Sequence, residues 1–322
     1  MQGLVTVFGG GGFLGRHTVR ALAKRGMRIR VAVRRPHLVP ELKVMGDVGQ
    51  IELVQANIRD ADSLERALEG ATAVVNLVGV LYQAGKQSFQ SVQADGPGLI
   101  ARLAARHGVT NFVQVSAIGA SETSASLYAR TKAAGEAAVR AAIPGATVLR
   151  PSIVFGPEDD FFNRFGAMAA VLPVLPLIGG GDTRFQPVYV ADVAAAIANV
   201  LEQPELAGKT YELGGPTVYS FRQLMLLIVR EVGRNNALVP VPFPIASLIG
   251  LAGDIQAAVV PIPPVLTSDQ VLLLKEDNVA HDGVPGLEAL GVAATPVESV
   301  VPSYLWRFRS GGQFAEPATG AG

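Results

Sequence analysis

Short apolar runs rich in β-branched residues alternate with amphipathic stretches through the first half of the chain. LVTVFG (4–9) precedes a helical pattern over 13–25, RIRVAVR (28–34) one over 38–45, and IELVQA (51–56) one over 60–69. AVVNLVG (73–79), FVQVSA (112–117) and TVLRPS (147–152) continue the series, with helical patterns over 88–107 and 125–142 between them. Runs without polar alternation suit strands covered on both faces, and their alternation with helices predicts a parallel sheet with crossover helices. Residues 1–150 therefore predict an α/β fold, a Rossmann-type doubly wound parallel sheet.

The pattern breaks after Pro151 into Pro- and Gly-rich segments such as LPVLPLIGGGDT (172–183). PVYVADVAAAIANVLEQ (187–203) then supplies a strand and a helix, so 185–215 is expected to return to the main sheet. Residues 151–184 and 216–306 are expected to form a smaller, mainly helical C-terminal lobe over the carboxyl ends of the strands, where such sheets bind ligands. A flexible tail is expected over 307–322. Between Pro240, Pro242 and Pro244 on one side and Pro261, Pro263 and Pro264 on the other, one stretch has apolar residues at helical spacing. Ile245, Leu248, Ile249, Ala252, Ile255 and Val259 make a single stripe there, which either packs as core or meets a membrane or a partner.

Composition sharpens this picture. The chain has 322 residues, 49% of them hydrophobic, and a mean hydropathy of +0.34. That is apolar for a soluble protein, yet no run reaches the ~18 apolar residues of a spanning helix. Cysteine is absent, which excludes disulfides and thiolate metal sites, and His17, His37, His107 and His281 show no ligand spacing. Basic and acidic residues balance at 27 each, and no basic run interleaves with aromatics, so no nucleic-acid partner is expected. The chain enters its first strand at Leu4 without an apolar export segment, so a cytoplasmic location is expected.

The chemistry starts at VTVFGGGGFLGRHTVRAL. Gly9, Gly12 and Gly15 recur at three-residue spacing between strand and helix, the arrangement that lets a pyrophosphate approach backbone N–H groups at a helix N-terminus. Gly9, Gly10, Gly12, Phe13, Leu14 and Gly15 are the candidate cradle. At the end of the second strand, where an acidic residue would take the ribose 2′-hydroxyl, the chain has Arg34 and Arg35, which suit the 2′-phosphate of NADPH (NADP). Asn57 and Ile58 after the third strand, Asn76, Val78 and Gly79 at the end of the fourth, and Pro151 complete the candidate cofactor contacts. Tyr128 and Lys132 stand one helical turn apart, with Ser116 closing the fifth strand. A tyrosine near its ordinary pKa of ~10 needs about 3 units of depression to serve as an acid/base at neutral pH, which a nearby ammonium helps supply.

In this context Ser116, Tyr128 and Lys132 resemble the catalytic set of the short-chain dehydrogenase/reductase superfamily. There the tyrosine exchanges a proton with the substrate oxygen, the lysine lowers its pKa and binds ribose, and the serine positions the carbonyl. VSAIGASETSASLYARTKAAGE, LRPSIVFGPEDDFFNRF, QPVYVADVA, LTSDQVLLLKEDNV and PSYLWRFRSGGQF resemble, in order and spacing, the NADPH-binding accessory subunit of respiratory complex I. That family is an atypical, epimerase/dehydratase-like branch found in mitochondria and alphaproteobacteria, and the resemblance covers nearly the whole chain. It implies an NADPH held structurally, complex I subunits as partners where the peripheral arm meets the membrane arm, and a peripheral place on the cytoplasmic face of the bacterial inner membrane. The family keeps its catalytic residues imperfectly, whereas Ser116, Tyr128 and Lys132 are all present here. Two functions stay open: an assembly component in which this set is vestigial, and a free-standing NADP-dependent reductase or epimerase acting on an apolar quinone- or isoprenoid-like substrate.

Overall fold

In the computed structural model, which describes residues 3–259 and 263–314, the apolar runs become strands and the chain folds into two units. The first unit comprises the chain to Pro151 together with Val190–Leu213 and His281–Ala293. It opens with β1 (Leu4–Phe8), α1 (Phe13–Lys24), β2 (Arg28–Val33), β3 (Ile51–Gln55), α2 (Ala61–Leu68) and β4 (Ala71–Asn76). It continues with α3 (Gly96–Arg106), β5 (Asn111–Val115), α4 (Leu127–Ala142) and β6 (Thr147–Pro151). Two helical expectations change in detail. Pro36 and Pro40 split the segment expected over 38–45 into two 3₁₀ turns, Pro36–Leu38 and Pro40–Met45, because each proline lacks an N–H and restricts the residue before it. The long helix expected over 88–107 begins as a π turn, Gln90–Asp95, and becomes α-helical only at Gly96.

The second unit starts with β7 (Val154–Phe155), α5 (Phe161–Val171), β8 (Val174–Ile178), β9 (Arg184–Phe185) and β10 (Val188–Tyr189). The chain then returns to the first unit for α6 (Val190–Glu202) and β11 (Thr210–Leu213). The return thus begins at Val190 instead of 185, because β9 and β10 pair with β12 (Tyr219–Ser220) and β7 inside the second unit. Its remaining elements are α7 (Phe221–Val232), β13 (Ala237–Val241), α8 (Phe243–Val259), α9 (Ser268–Leu273), α10 (Val297–Val300) and α11 (Pro302–Leu305). The sequence pattern carried no sign of the second return, His281–Ala293, which Glu212 anchors by accepting from the backbone N–H of His281 at 2.8 Å.

Seven parallel strands order β11-β6-β5-β4-β1-β2-β3 in the first unit. Strand order reverses beside β1, which puts the crevice for a ligand at the carboxyl ends of β1 and β4. Val5, Val7, Val31, Val74 and Val113 are buried because helices cover both faces, which explains their unbroken apolar runs.

The second unit packs around a cluster of aromatic and aliphatic side chains that includes Phe155, Phe162, Phe221, Leu224 and Ile228. Asp159 organises the entry to α5, accepting from the N–H groups of Gly156, Phe162 and Asn163 and from the Tyr304 hydroxyl at 2.6 Å. The Arg309 guanidinium, 9% exposed, ion-pairs with the buried Glu231 carboxylate, so the chain beyond 306 is anchored at least that far. The part of the expected tail over 315–322, and the stop expected at Pro261, lie outside the described residues.

Helix α8 turns its small residues inward. A Cβ on Gly253 would stand 1.9 Å from the Leu266 carbonyl oxygen, and one on Gly250 would stand 2.8 Å from the Ser268 nitrogen. Its large apolar residues face out, Leu248 at 69%, Ile255 at 60% and Val259 at 77% exposure. The stripe read from the sequence exists, and it is the face of the helix that its own unit leaves uncovered. No helix of the described residues is long and apolar enough to cross a membrane.

Candidate dinucleotide site

Gly9 adopts φ +80, a conformation open to glycine, and turns the chain out of β1 toward α1. Its carbonyl accepts from the N–H of Gly12, and a Cβ on Gly15 would lie 2.3 Å from that oxygen, so the helix can start close against the loop only without one. Gly12 caps α1 with no side-chain hydrogen bond, and no acidic residue sits in the first turn. The N–H groups at this helix end are thereby left to an incoming anion, whose charge the helix dipole favours.

A cleft of about 700 Å³ runs over this loop. Gly9, Gly12, Arg34, Arg35, Asn57, Ile58, Val78 and Gly79 line it, as do Arg59 and Gln87, which the sequence reading did not pick out. A recess of about 260 Å³ extends between Arg34, Asn57, Ser63 and Arg66. The Arg34 guanidinium donates to Gln87 Oε1 at 2.7 Å, and Arg59 donates to the Lys86 carbonyl at 2.7 Å. Nothing in the local sequence marks Gln87 or Arg59. Arg59 follows β3 directly, two residues past Asn57, whereas Gln87 comes to the cleft because the segment after β4 folds back toward Arg34 and Arg59.

The other candidates lie around the cleft without lining it. Gly10 sits under the loop, where a Cβ would meet Val31 Cγ1 at 2.6 Å. Phe13 packs edge-on against His17, and Leu14 gives its carbonyl to the Thr18 hydroxyl at 2.9 Å. Asn76 is fully buried and donates to Gln114 Oε1 at 2.8 Å, while accepting from the N–H of Val78, so it shapes the end of β4. Pro151 closes β6, its carbonyl accepting from the N–H of Ile118.

Ser116 is 4% exposed, and its Oγ has no hydrogen-bond partner among the described residues. Helix α4 starts at a true cap, Ser126 Oγ accepting from the N–H of Ala129, which places Tyr128 and Lys132 on successive turns. The Tyr128 ring packs edge-on against Phe89, and Lys132 Nζ stands 5.7 Å from its centroid. Burial pushes the Lys132 ammonium down to about 8, against the pull of Glu136 one turn on. Arg150 shares the Glu136 carboxylate through two hydrogen bonds, at 3.0 and 2.7 Å. A lysine so placed offers a buried donor whose charge is readily lost.

The glycine turn, the uncapped helix end and the arginines at the end of β2 fit a dinucleotide phosphate. Residues 5–214 match the model of the NAD dependent epimerase/dehydratase family. Over 320 residues, 97% of this chain and 80% of the relative, the sequence is 37% identical to the NADH dehydrogenase [ubiquinone] 1 alpha subcomplex subunit 9, mitochondrial, of Arabidopsis thaliana. It is 33% identical over 243 residues, 76% of this chain and 75% of the relative, to a ceramide reductase of Caulobacter vibrioides. Among solved structures, a Citrobacter sp. triphenylmethane reductase complexed with NADP(H) superposes with a TM-score of 0.72 at 20% identity, covering 93% of this chain and 99% of that one.

Proposed function

The chain belongs to the NAD dependent epimerase/dehydratase family, and from that premise we propose that it is an accessory subunit of NADH:ubiquinone oxidoreductase that holds NADPH as a structural ligand. The observation that carries this reading is the 37% identity to a subunit of that enzyme along 97% of the chain, the apolar α8 region included. The cleft supports the nucleotide half of it. Gly9 and the start of α1 would hold the pyrophosphate, Arg34 and Arg35 the 2′-phosphate, and Lys132 the second ribose. The outward face of α8 supports the assembly half, because Leu248 and Ile255 leave apolar surface that a lipid layer or a membrane subunit would cover. The site of docking in this reading is the junction of the two arms, on the face of the membrane that carries the peripheral arm. Native electrophoresis of mildly solubilised membranes tests it: the tagged chain should migrate with NADH dehydrogenase activity, and migration only as a free protein would refute the assembly role.

A second reading, a free-standing reductase, is favoured by the presence of Ser116, Tyr128 and Lys132 together with the likeness to a ceramide reductase. When bound, the nicotinamide would supply hydride. Tyr128 would give its hydroxyl proton to the substrate oxygen, with Lys132 stabilising the phenolate left behind. The two readings part at Tyr128→Phe, which removes only that proton. As an accessory subunit the variant should assemble and support quinone reduction as the unmodified chain does. A large fall in turnover of normally assembled enzyme would overturn the vestigial role of Tyr128, and NADPH-dependent carbonyl or quinone reduction by the isolated chain that Tyr128→Phe abolishes would favour the second reading.

A further inference from the structure

Gln93 is 2% exposed, and among the described residues neither its carboxamide nitrogen nor its oxygen has a hydrogen-bond partner. A buried polar atom left unpaired is costly, and here one side chain carries two. The surrounding sequence nonetheless builds a place for it. Pro97 lacks the N–H that an α-helix would direct at the Gln93 carbonyl, and the chain over Gln90–Asp95 opens into a π turn just there. Gly135 on α4 leaves room for that carbonyl, since a Cβ there would stand 2.0 Å from its oxygen. Gly79 exposes bare backbone beside the carboxamide: a Cβ on it would lie 3.7 Å from Gln93 Oε1 and 3.2 Å from Lys132 Nζ. Carboxamide and ammonium therefore flank one residue of the cleft lining.

The strand order fixes what passes over that residue. The glycine loop follows β1; Arg34 and Asn57 follow β2 and β3 on one side, and Gly79 follows β4 on the other. A dinucleotide with its pyrophosphate on the loop and its 2′-phosphate at Arg34 and Arg35 must carry its second ribose toward Gly79. A vicinal diol answers both groups found there. Its oxygens accept from an ammonium that only donates, while its hydroxyl hydrogens and lone pairs satisfy a carboxamide that both accepts and donates. We propose that Gln93 is a nucleotide-binding residue that reads the diol of the nicotinamide-side ribose together with Lys132. The inference rests on the nucleotide site argued above and adds to it a contact that distinguishes a whole dinucleotide from its adenosine half.

Calorimetry with NADPH and with 2′,5′-ADP, which has the 2′-phosphate but no second ribose, tests it. Gln93→Met keeps the length of the side chain and removes its polar atoms; it should bind NADPH about tenfold more weakly and 2′,5′-ADP as tightly as the unmodified chain. Gly79→Ala, which sets a methyl between carboxamide and ammonium, should show the same split and carries the test if the first variant does not fold. Unchanged NADPH affinity in both variants overturns the inference, and so does an equal loss of both ligands, the mark of a merely structural residue. If the unmodified chain binds neither ligand, the nucleotide reading itself falls and takes this contact with it.

Discussion

Arg34 and Arg35 should contribute unequally to a preference for NADPH over NADH. A charge-assisted hydrogen bond is worth ~1.5–3 kcal/mol, and at an exposed rim open to solvent the lower end applies. Arg34 must give up or share its 2.7 Å bond to Gln87 to reach a phosphate, a neutral-acceptor bond worth about 1 kcal/mol. Its net gain is therefore about 0.5 kcal/mol, roughly twofold in affinity. Arg35 has no side-chain hydrogen bond among the described residues and gains the full ~1.5 kcal/mol, about tenfold. Titration of both nucleotides into the unmodified chain should show NADPH favoured by roughly twentyfold, with Arg35→Ala erasing most of this preference and Arg34→Ala little of it. Gln87→Ala should release Arg34 and enlarge the preference. The NADPH advantage should also shrink as salt rises, while NADH binding stays nearly level. Equal affinities for the two nucleotides in the unmodified protein, or arginine variants that weaken both alike, would refute the reasoning.

Lys132 should leave a pH signature on stability. Its folded pKa, depressed to about 8 chiefly by burial, lies below the unfolded value of 10.5, so its contribution is present above the unfolded pKa and is lost as pH falls through the folded one. Stability of the ligand-free protein should thus rise between pH 8 and 10.5, and Lys132→Met should flatten that rise and lift the melting temperature at pH 7; a variant with the same profile would show that the ammonium is not desolvated. On α8, Leu248→Glu should leave cooperative melting and nucleotide binding intact while abolishing sedimentation with membranes, whereas Gly253→Ala should cost ~1–3 kcal/mol or more by driving a methyl onto the Leu266 carbonyl. A Leu248→Glu chain that melts early would mean that this face is covered by the protein itself.

The central sheet was legible because each strand from β1 to β6 is a short β-branched run bounded by turn residues, and helices on both faces remove any need for polar alternation. The glycine turn between β1 and α1 was equally plain, since the spacing of Gly9, Gly12 and Gly15 is a backbone requirement written directly in residue identity. What escaped was set by contacts distant in sequence. Gln87 reaches the cleft only because the segment after β4 folds back, and Gln93 reads from sequence as an ordinary polar position on a helix until Pro97 opens that helix. Val188 and Tyr189 looked like a strand of the main sheet because a two-residue strand pairing β7 has the same local pattern as one pairing β6.

Helix α8 shows why pattern alone leaves direction open. The stripe of Ile245, Leu248, Ile249, Ala252, Ile255 and Val259 has the spacing expected of a buried face, and apolar residues at that spacing ordinarily mark the inward side of a helix. Here Gly250 and Gly253 meet the backbone of 266–268 so closely that no side chain fits between, which fixes the rotation of the helix about its axis and turns the stripe outward. Reversing it would bring large side chains against that backbone at distances where even a methyl clashes. Small residues therefore decide which face is hidden, and large ones are left exposed by steric necessity. If the proposed assembly role holds, a face fixed by such backbone contacts would be covered without the helix first reorganising, which would spare the ordering cost that usually weakens association at a loose segment.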